Sequence, residues 1–463
     1  MGSVGCDTNT NPHGAMTDRS AHVALDFHPR LPVVTTCDAP ESSSDGGALL
    51  LRAMDERLGL TAGFAARIPD RRDPRFVQHP RLEQLRQRVY QIALGYEDCN
   101  DAARLRNDRA FKVICDRMPE DEEGLSSQPT LSRMENGVPM SRIKALLLEV
   151  EDGFVRALSR RRRLVVLDID PTDDPTHGAQ QLTFFHGYYD THMYFPLLVF
   201  DGETGDLASV VLRPGNVGGA RGALGLMDRL VRAVRRRCPR ATILVRADSG
   251  FAAPEFLAKL DALHEQLGDV RYVVGVAKNK RLIELLRPWM VIAEAWFEHT
   301  GKPARRFESF QHKAGTWAHS RRVIGKAEHL PDGANPRFVV TNLADEDEQV
   351  YETYCGRGQA ENYIKEFKNA VHGDRLSCST FAANFFRLLI HALAYRLLNA
   401  LRDAVQPMSQ PRMQFATLRI RLLKVAAIIT QSARRILVRL PVSFPAREMF
   451  LDAARWLTSP APA

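Results

Sequence analysis

The chain contains no run of about 18 uncharged apolar residues, and its first residues lack an apolar signal core. Neither a membrane span nor a secretory leader is expected, and no membrane partner. Cysteine is sparse: seven residues, at 6, 37, 99, 115, 238, 355 and 378, with no Cys-x-x-Cys pair. An odd, scattered set excludes a disulfide framework and a zinc ribbon, and it fits a reducing cytosol. No internal repeat recurs, which excludes solenoids and propellers.

What is plentiful is positive charge. Lys plus Arg exceed Asp plus Glu by 63 to 55, a formal +8. The excess is also local, at Ser159-Arg-Arg-Arg-Arg163, Arg235-Arg-Arg237, Arg305-Arg306 and Arg434-Arg435. Such clusters are the footprint of a polyanion partner, although a single Arg run more often marks only a solvated face. With 463 residues, the chain suits two or three domains with a substantial core.

Residues 1–47 are rich in Asn, Thr, Ser, Gly, Asp and Pro, and read as a flexible leader. Helical patterning dominates 48–158, clearest at Leu49–Gly59 and Pro80–Gly95. The segment Gln128–Glu135 admits two readings: the start of a helix-turn-helix recognition element, or a helix start capped by Thr130 or Ser132. From Leu164 the texture becomes strand-like, with runs at 164–170, 182–189, 194–201 and 207–212. A helix over 218–237, the strand Ala241–Ala247, a helix opened by Pro254 and the strand Tyr272–Ala277 follow. Three meandering strands, helix, strand, helix, strand is the order of a ribonuclease-H-like domain. Beyond a further strand at Arg337–Leu343, the pattern predicts a helix over about 350–370 and two long amphipathic helices near 380–403 and 412–437.

Two of the strand runs end in acid. Asp170 closes Leu164-Val-Val-Leu-Asp-Ile-Asp170, and Asp248 follows Ile243-Leu-Val-Arg-Ala247. Neighbouring strands lie about 5 Å apart, so such carboxylates can meet. Each also has a plainer reading, Asp248 as an Asx turn with Ser249-Gly250 and Asp170 as a turn before Pro171. Asp168 and Asp170 point to the same face, and alternation cannot separate them. His177, His186 and His192 are spaced by 9 and 6, which fits no standard zinc pair. A third acid comes from Tyr354-Cys-Gly-Arg357-Gly-Gln-Ala-Glu361-Asn-Tyr-Ile-Lys-Glu-Phe-Lys368. Read as helix, Tyr354, Arg357, Glu361 and Lys368 share a stripe about 60° wide, while Glu352 and Glu366 face away. Three carboxylates suit two hard cations clamping an in-line phosphoryl displacement. Arg357 suits a bidentate phosphate grip and Lys368 a point charge. Asp248 and Glu361 lie 113 residues apart, far more than the roughly 40 that a helix, a strand and a connection need. An insertion of about 60–75 residues therefore precedes the third acid. Within it, Trp317 reads either as core or as a stacking platform for an unpaired base.

The spacing Y-x(2)-R-x(3)-E-x(6)-K resembles the signature of a large group of bacterial insertion-sequence transposases with an Asp-Asp-Glu metal triad. With Leu167–Gly178, Arg246–Gly250 and Ala93–Asp101, the chain looks most like the insertion sequence 1380 family. The resemblance implies an α/β, ribonuclease-H-like catalytic domain, a mixed sheet flanked by helices. It is interrupted by a mostly β insertion and has helical N- and C-terminal regions. Expected divisions are a leader (1–47), a helical DNA-end-binding region (48–158), catalytic parts (159–278 and 337–403), the insertion (279–336) and a C-terminal helical region (404–463). It also implies Asp170 (from the Asp-x-Thr pattern), Asp248 and Glu361 as catalytic metal ligands for two Mg²⁺ or Mn²⁺ ions. Tyr354, Arg357 and Lys368 would bind DNA phosphate. The implied activity is binding of inverted terminal repeats, cleavage at element ends and joining to target DNA, by a homodimer or higher multimer in the bacterial cytoplasm. A nuclease without strand transfer and a non-catalytic regulator of the element are the alternatives.

Overall fold

The computed structural model describes residues 23–459, apart from 26, 28, 32 and 409–411. The chain divides into two units, one up to Ser42 and one from Ser43 onward. In the first, β1 (Val23–Leu25) pairs antiparallel with β2 (Val33–Thr35). The leader expected over 1–47 thus holds a short hairpin, and residues 1–22 lie outside the described residues.

Residues 43–47 are not leader at all. Ser43 exchanges backbone hydrogen bonds of 2.9 and 2.8 Å with Ala427. The buried Asp45 carboxylate accepts from Lys424 Nζ at 2.7 Å and from the Tyr96 hydroxyl at 2.9 Å. A Cβ on Gly47 would stand 1.9 Å from the Leu422 carbonyl oxygen, so only glycine permits this approach. Polar composition misled here, because these groups are buried by being bonded.

The helices Ala48–Leu58, Arg81–Leu94, Gln128–Asn136 and Met140–Ala157 gather around one long helix, Phe381–Val405, and share its core. By length and composition that helix could cross a membrane, yet it is buried within the protein. Gly95, at φ 89°, ends the second helix in the left-handed region where glycine costs nothing. The helix from Gln128 is preceded by Ser127, not capped by Thr130 or Ser132, and its Glu135 pairs with fully buried Arg88 at 2.6 Å.

The main sheet has nine strands. Its first strand in the chain is β3 (Leu164–Pro171), an interior strand of the sheet. A small three-stranded sheet follows in sequence: β4 (Asp174–Pro175), β5 (Phe184–His186) and β6 (Thr191–Tyr194). Then come β7 (Leu197–Asp201) and β8 (Leu207–Val211). After the helix Ala223–Arg237 come β9 (Thr242–Ala247), the helix Pro254–Leu267 and β10 (Val270–Val276). β3 lies parallel to β9 and antiparallel to β7, β9 parallel to β10, and β7 antiparallel to β8. The meander is therefore β3, β7, β8; the run expected as a strand at 182–189 supplies β5 of the separate small sheet.

The expected mostly β insertion differs from the structure. It opens with a 21-residue helix, Lys280–Thr300, capped by Asn279 and interrupted in pattern by Pro288. Its strands β11 (Arg305–His312) and β12 (Arg321–Leu330), with the short β13 (Gly333–Ala334), extend the main sheet through β14 (Arg337–Thr341). Trp317 is 4 % exposed, with the Arg321 guanidinium 5.3 Å from its ring centre, so it is core and not a free platform. The helix expected over 412–437 is replaced by a short helical stretch, Phe415–Leu423, and an antiparallel hairpin, β15 (Ile428–Ser432) with β16 (Arg435–Arg439). β-branched Ile and Val residues in that stretch favour the hairpin.

The Tyr354–Lys368 segment forms two helices, Asp347–Cys355 and Gly358–Val371, joined at Gly356-Arg357 in helical backbone. On its far face Glu366 accepts two hydrogen bonds from Arg402, at 2.9 and 2.7 Å, and one from the Phe415 amide. Arg402 is buried, so Glu366→Ala should cost about 3 kcal/mol or more of stability, seen as a lower denaturant midpoint. An unchanged midpoint would show that this contact does not hold the helix.

Candidate active site

The site begins with a buried ion pair. Asp168, wholly buried in β3, receives two hydrogen bonds from Arg246 of β9, at 2.6 and 2.7 Å. The third arm of Arg246 donates to the Thr353 carbonyl at 2.9 Å, at the end of the first motif helix. A Cβ on Gly356 would lie 2.3 Å from Arg246 Nη1, and one on Gly202 would lie 2.4 Å from Nη2. Both glycines leave room for the guanidinium. Arg246 was missed in sequence, although a lone Arg inside an apolar strand was its signal.

Two residues further along β3, Asp170 accepts from Arg357 Nη1 at 3.0 Å. Burial pushes its carboxyl up to about 7; Arg357 opposes this, while Asp248 and Glu361 add to it. The Arg357 guanidinium is held above its ordinary value: burial works against it, but Asp170, Tyr354, Asp248 and Glu361 prevail. Asp248, just past β9, uses Oδ1 to accept the Gly250 amide at 2.9 Å. The Asx turn foreseen as its plainer reading is therefore real, and it sits beside the other acids. Glu361 is exposed. Tyr354 is raised by burial and by nearby Asp248 and Cys355, against Arg357. A Cβ on Gly275 of β10 would come 2.7 Å from its hydroxyl. Lys368 donates to Asp173 at 2.8 Å. The structure thus turns all four motif residues toward the ends of β3 and β9, despite the break between the two helices.

Sequence reasoning also missed Asp174. It is buried, neither carboxylate oxygen has a hydrogen-bond partner, and burial with neighbouring Asp374 and Asp173 pushes it well above its usual range. The basic runs contribute less than expected. Arg235 binds the carbonyls of Pro239, Ala241, Gly268 and Asp269, and Arg237 those of Leu158 and Arg156. Arg162 pairs with Asp201 and Glu203. These arginines staple the fold, leaving Arg160, Arg161, Arg163, Arg236, Arg306, Arg434 and Arg435 exposed.

Hard oxygen donors, one of them held protonated up to about 7 by burial and by the neighbouring acids despite Arg357, fit a divalent cation. Among the described residues no three His, Cys, Asp or Glu side chains yet stand close enough to form a closed metal pocket. The expectation of no zinc pair among the histidines stands as a reading of spacing alone.

Carboxylates at the ends of adjacent parallel strands, facing a helix that carries Arg and Lys, form a centre suited to phosphate chemistry. A model of the transposase DDE domain, group 1, matches residues 28–460, and the chain belongs to that family. No curated protein matches the chain significantly. A solved structure, a piggyBac transposase synaptic complex with hairpin DNA, is 13 % identical, with a TM-score of 0.43, covering 82 % of this chain and 79 % of that one.

The raised Asp170 carboxyl sets a pH dependence. Unfolded, it ionises near 3.8; folded, only near 7. Between those values the folded state keeps a proton that the unfolded state releases, so metal-free protein should lose stability as pH rises from about 4 to about 7. Asp170→Asn should flatten that part of the melting-temperature profile. An unchanged slope would mean that Asp170 titrates as if in water.

Proposed function

We propose that this transposase binds the terminal inverted repeats of its element, cuts DNA at the ends and joins them to target DNA. The observation that carries the proposal is that Arg357, at the junction of the motif helices, reaches Asp170 of β3, with Asp248 and Glu361 close enough to shift it. The order β8-β7-β3-β9-β10, with only β7 antiparallel to its neighbours on both sides, supports a ribonuclease-H-like assignment. The intact Tyr354, Arg357, Glu361 and Lys368 support the signature group, and Leu167–Gly178, Arg246–Gly250 and Ala93–Asp101 support the insertion sequence 1380 family within it.

In this reading Asp170, Asp248 and Glu361 hold two divalent ions, Mg²⁺ or Mn²⁺. Such ions, when bound, stabilise the charge developing on attacking and leaving oxygens of a phosphodiester. Asp170 is preferred over Asp168 because Asp168 is fully engaged by Arg246. Arg357 grips the phosphate beside the scissile bond, its planar fork fixing orientation. Lys368 adds charge further along the backbone, and the Tyr354 hydroxyl donates to a phosphate oxygen or orients water. Because Arg357 and Lys368 rest on Asp170 and Asp173 in the free protein, DNA and metal exchange these partners together. The exposed arginines supply salt-sensitive, sequence-independent attraction to double-stranded DNA. The protein works as a homodimer or higher multimer on DNA, in the bacterial cytoplasm at the nucleoid.

Asp248→Asn and Glu361→Gln should each bind end DNA nearly as tightly as wild type yet lower Mg²⁺-dependent cleavage by roughly a hundred-fold or more. Gel-shift and end-nicking assays on the same duplex check both halves. Near wild-type cleavage by either variant would exclude this triad.

A further inference from the structure

The small sheet β4-β6-β5 grows directly out of the strand that carries Asp170. β4 starts at Asp174, paired with Tyr194 of β6, and Asp173 just before it is bonded to Lys368. β5 and the turn after it form an aromatic tip. Phe184 and Phe185 are exposed, and Tyr188 is 86 % exposed. Soluble proteins seldom leave such a group of aromatics uncovered without a partner.

This tip is firmly held. The amides of Tyr189 and Asp190 both donate to the His186 carbonyl, at 3.1 and 2.9 Å. Tyr189 packs on His186 and Phe195, with ring centres 5.2 and 5.9 Å away, and Tyr188 meets Tyr189 edge-on at 5.0 Å. Gly215 packs its backbone directly on the paired β5 and β6: a Cβ there would lie 2.1 Å from the Met193 carbonyl oxygen and 2.6 Å from that of Phe184. At its base the Tyr194 hydroxyl donates to the Gln181 carbonyl, and Asn384 of the long core helix donates to that hydroxyl. Burial, with nearby Asp173, Asp170 and Asp248, raises the Tyr189 phenol, so the ring on which Tyr188 packs stands beside the acids of the site.

We infer that this tip, chiefly Tyr188 with Phe185, is a stacking platform for unpaired DNA bases next to the scissile phosphate. The inference rests on the proposed function, since DNA is placed there by Arg357 and Lys368. Phosphate held at the tip's root leaves the attached bases within reach of its rings, and aromatic rings stack on any base. Fixed rings lose little conformational freedom on binding. The platform thus favours a duplex whose end has opened, which is the form in which a strand becomes free to leave.

The test uses two duplexes carrying the inverted repeat that flanks the coding sequence, one fully paired and one with a short unpaired stretch at the cleavage point. 2-Aminopurine in that stretch reports stacking. Wild type should bind the unpaired duplex more tightly and quench its fluorescence. Tyr188→Ala should lose about ten-fold in affinity for that duplex alone, with fluorescence restored, and Tyr188→Trp should recover both. Phe185→Ala provides a second, independent loss. Equal affinity of wild type for both duplexes, or equal loss on both by Tyr188→Ala, would overturn the inference while leaving Mg²⁺-dependent cleavage, and so the proposed function, intact. A change of oligomer mass in Tyr188→Ala with DNA readouts unchanged would assign the face to a second copy of this chain. Binding to neither duplex would overturn both.

Discussion

The buried pair between Asp168 and Arg246 is the interaction on which the site depends. It joins β3 to β9 side by side and, through Thr353, fixes the end of the first motif helix, next to the junction that carries Arg357. Removing one partner strands a charge in the interior, a change worth about 3–5 kcal/mol in comparable cases. Charge at this position thus acts as a geometric device. It sets the distance between the strand ends and the motif helix, and Gly202 and Gly356 exist in their places because a side chain there would collide with it.

Above that pair the electrostatics are left unresolved. Asp170 has one cation against burial and two acids, and Asp174 is buried with no bonded partner for either oxygen. Such frustration is a common mark of a functional centre, where a ligand completes what folding leaves undone. A divalent ion and a DNA phosphate would supply the missing charges from opposite signs. The cation would satisfy Asp170, and the phosphate would take over Arg357 and Lys368.

Much of this was legible in the sequence, for identifiable reasons. Acids ending apolar runs marked Asp170 and Asp248, because a carboxylate is out of place in the apolar body of a strand and tolerable only near its end. The 3, 4 and 7 spacing marked Tyr354, Arg357, Glu361 and Lys368 as one face, and that face survives a break at Gly356-Arg357 because both residues keep helical angles. Polar residues buried by their bonding escaped notice: Ser43 and Asp45, read as leader, and Arg246. The helix Lys280–Thr300 was hidden by Pro288 and by apolar residues such as Val291, Ile292 and Trp296 left exposed, which blur helical periodicity. The hairpin at Ile428–Arg439 shows the converse error, since short apolar runs fit helix and strand alike. The separate sheet β4-β6-β5 could not be foreseen, because pairing partners are tertiary information.

The central claim is that Asp170, Asp248 and Glu361 come together around a divalent cation. Replacing that cation with Fe²⁺ and triggering local oxidative cleavage of the polypeptide tests it most directly. Cuts are predicted in three places, near Asp170, Asp248 and Glu361, all suppressed by excess Mg²⁺. Cuts clustered elsewhere, or the absence of any that Mg²⁺ suppresses, would contradict the account.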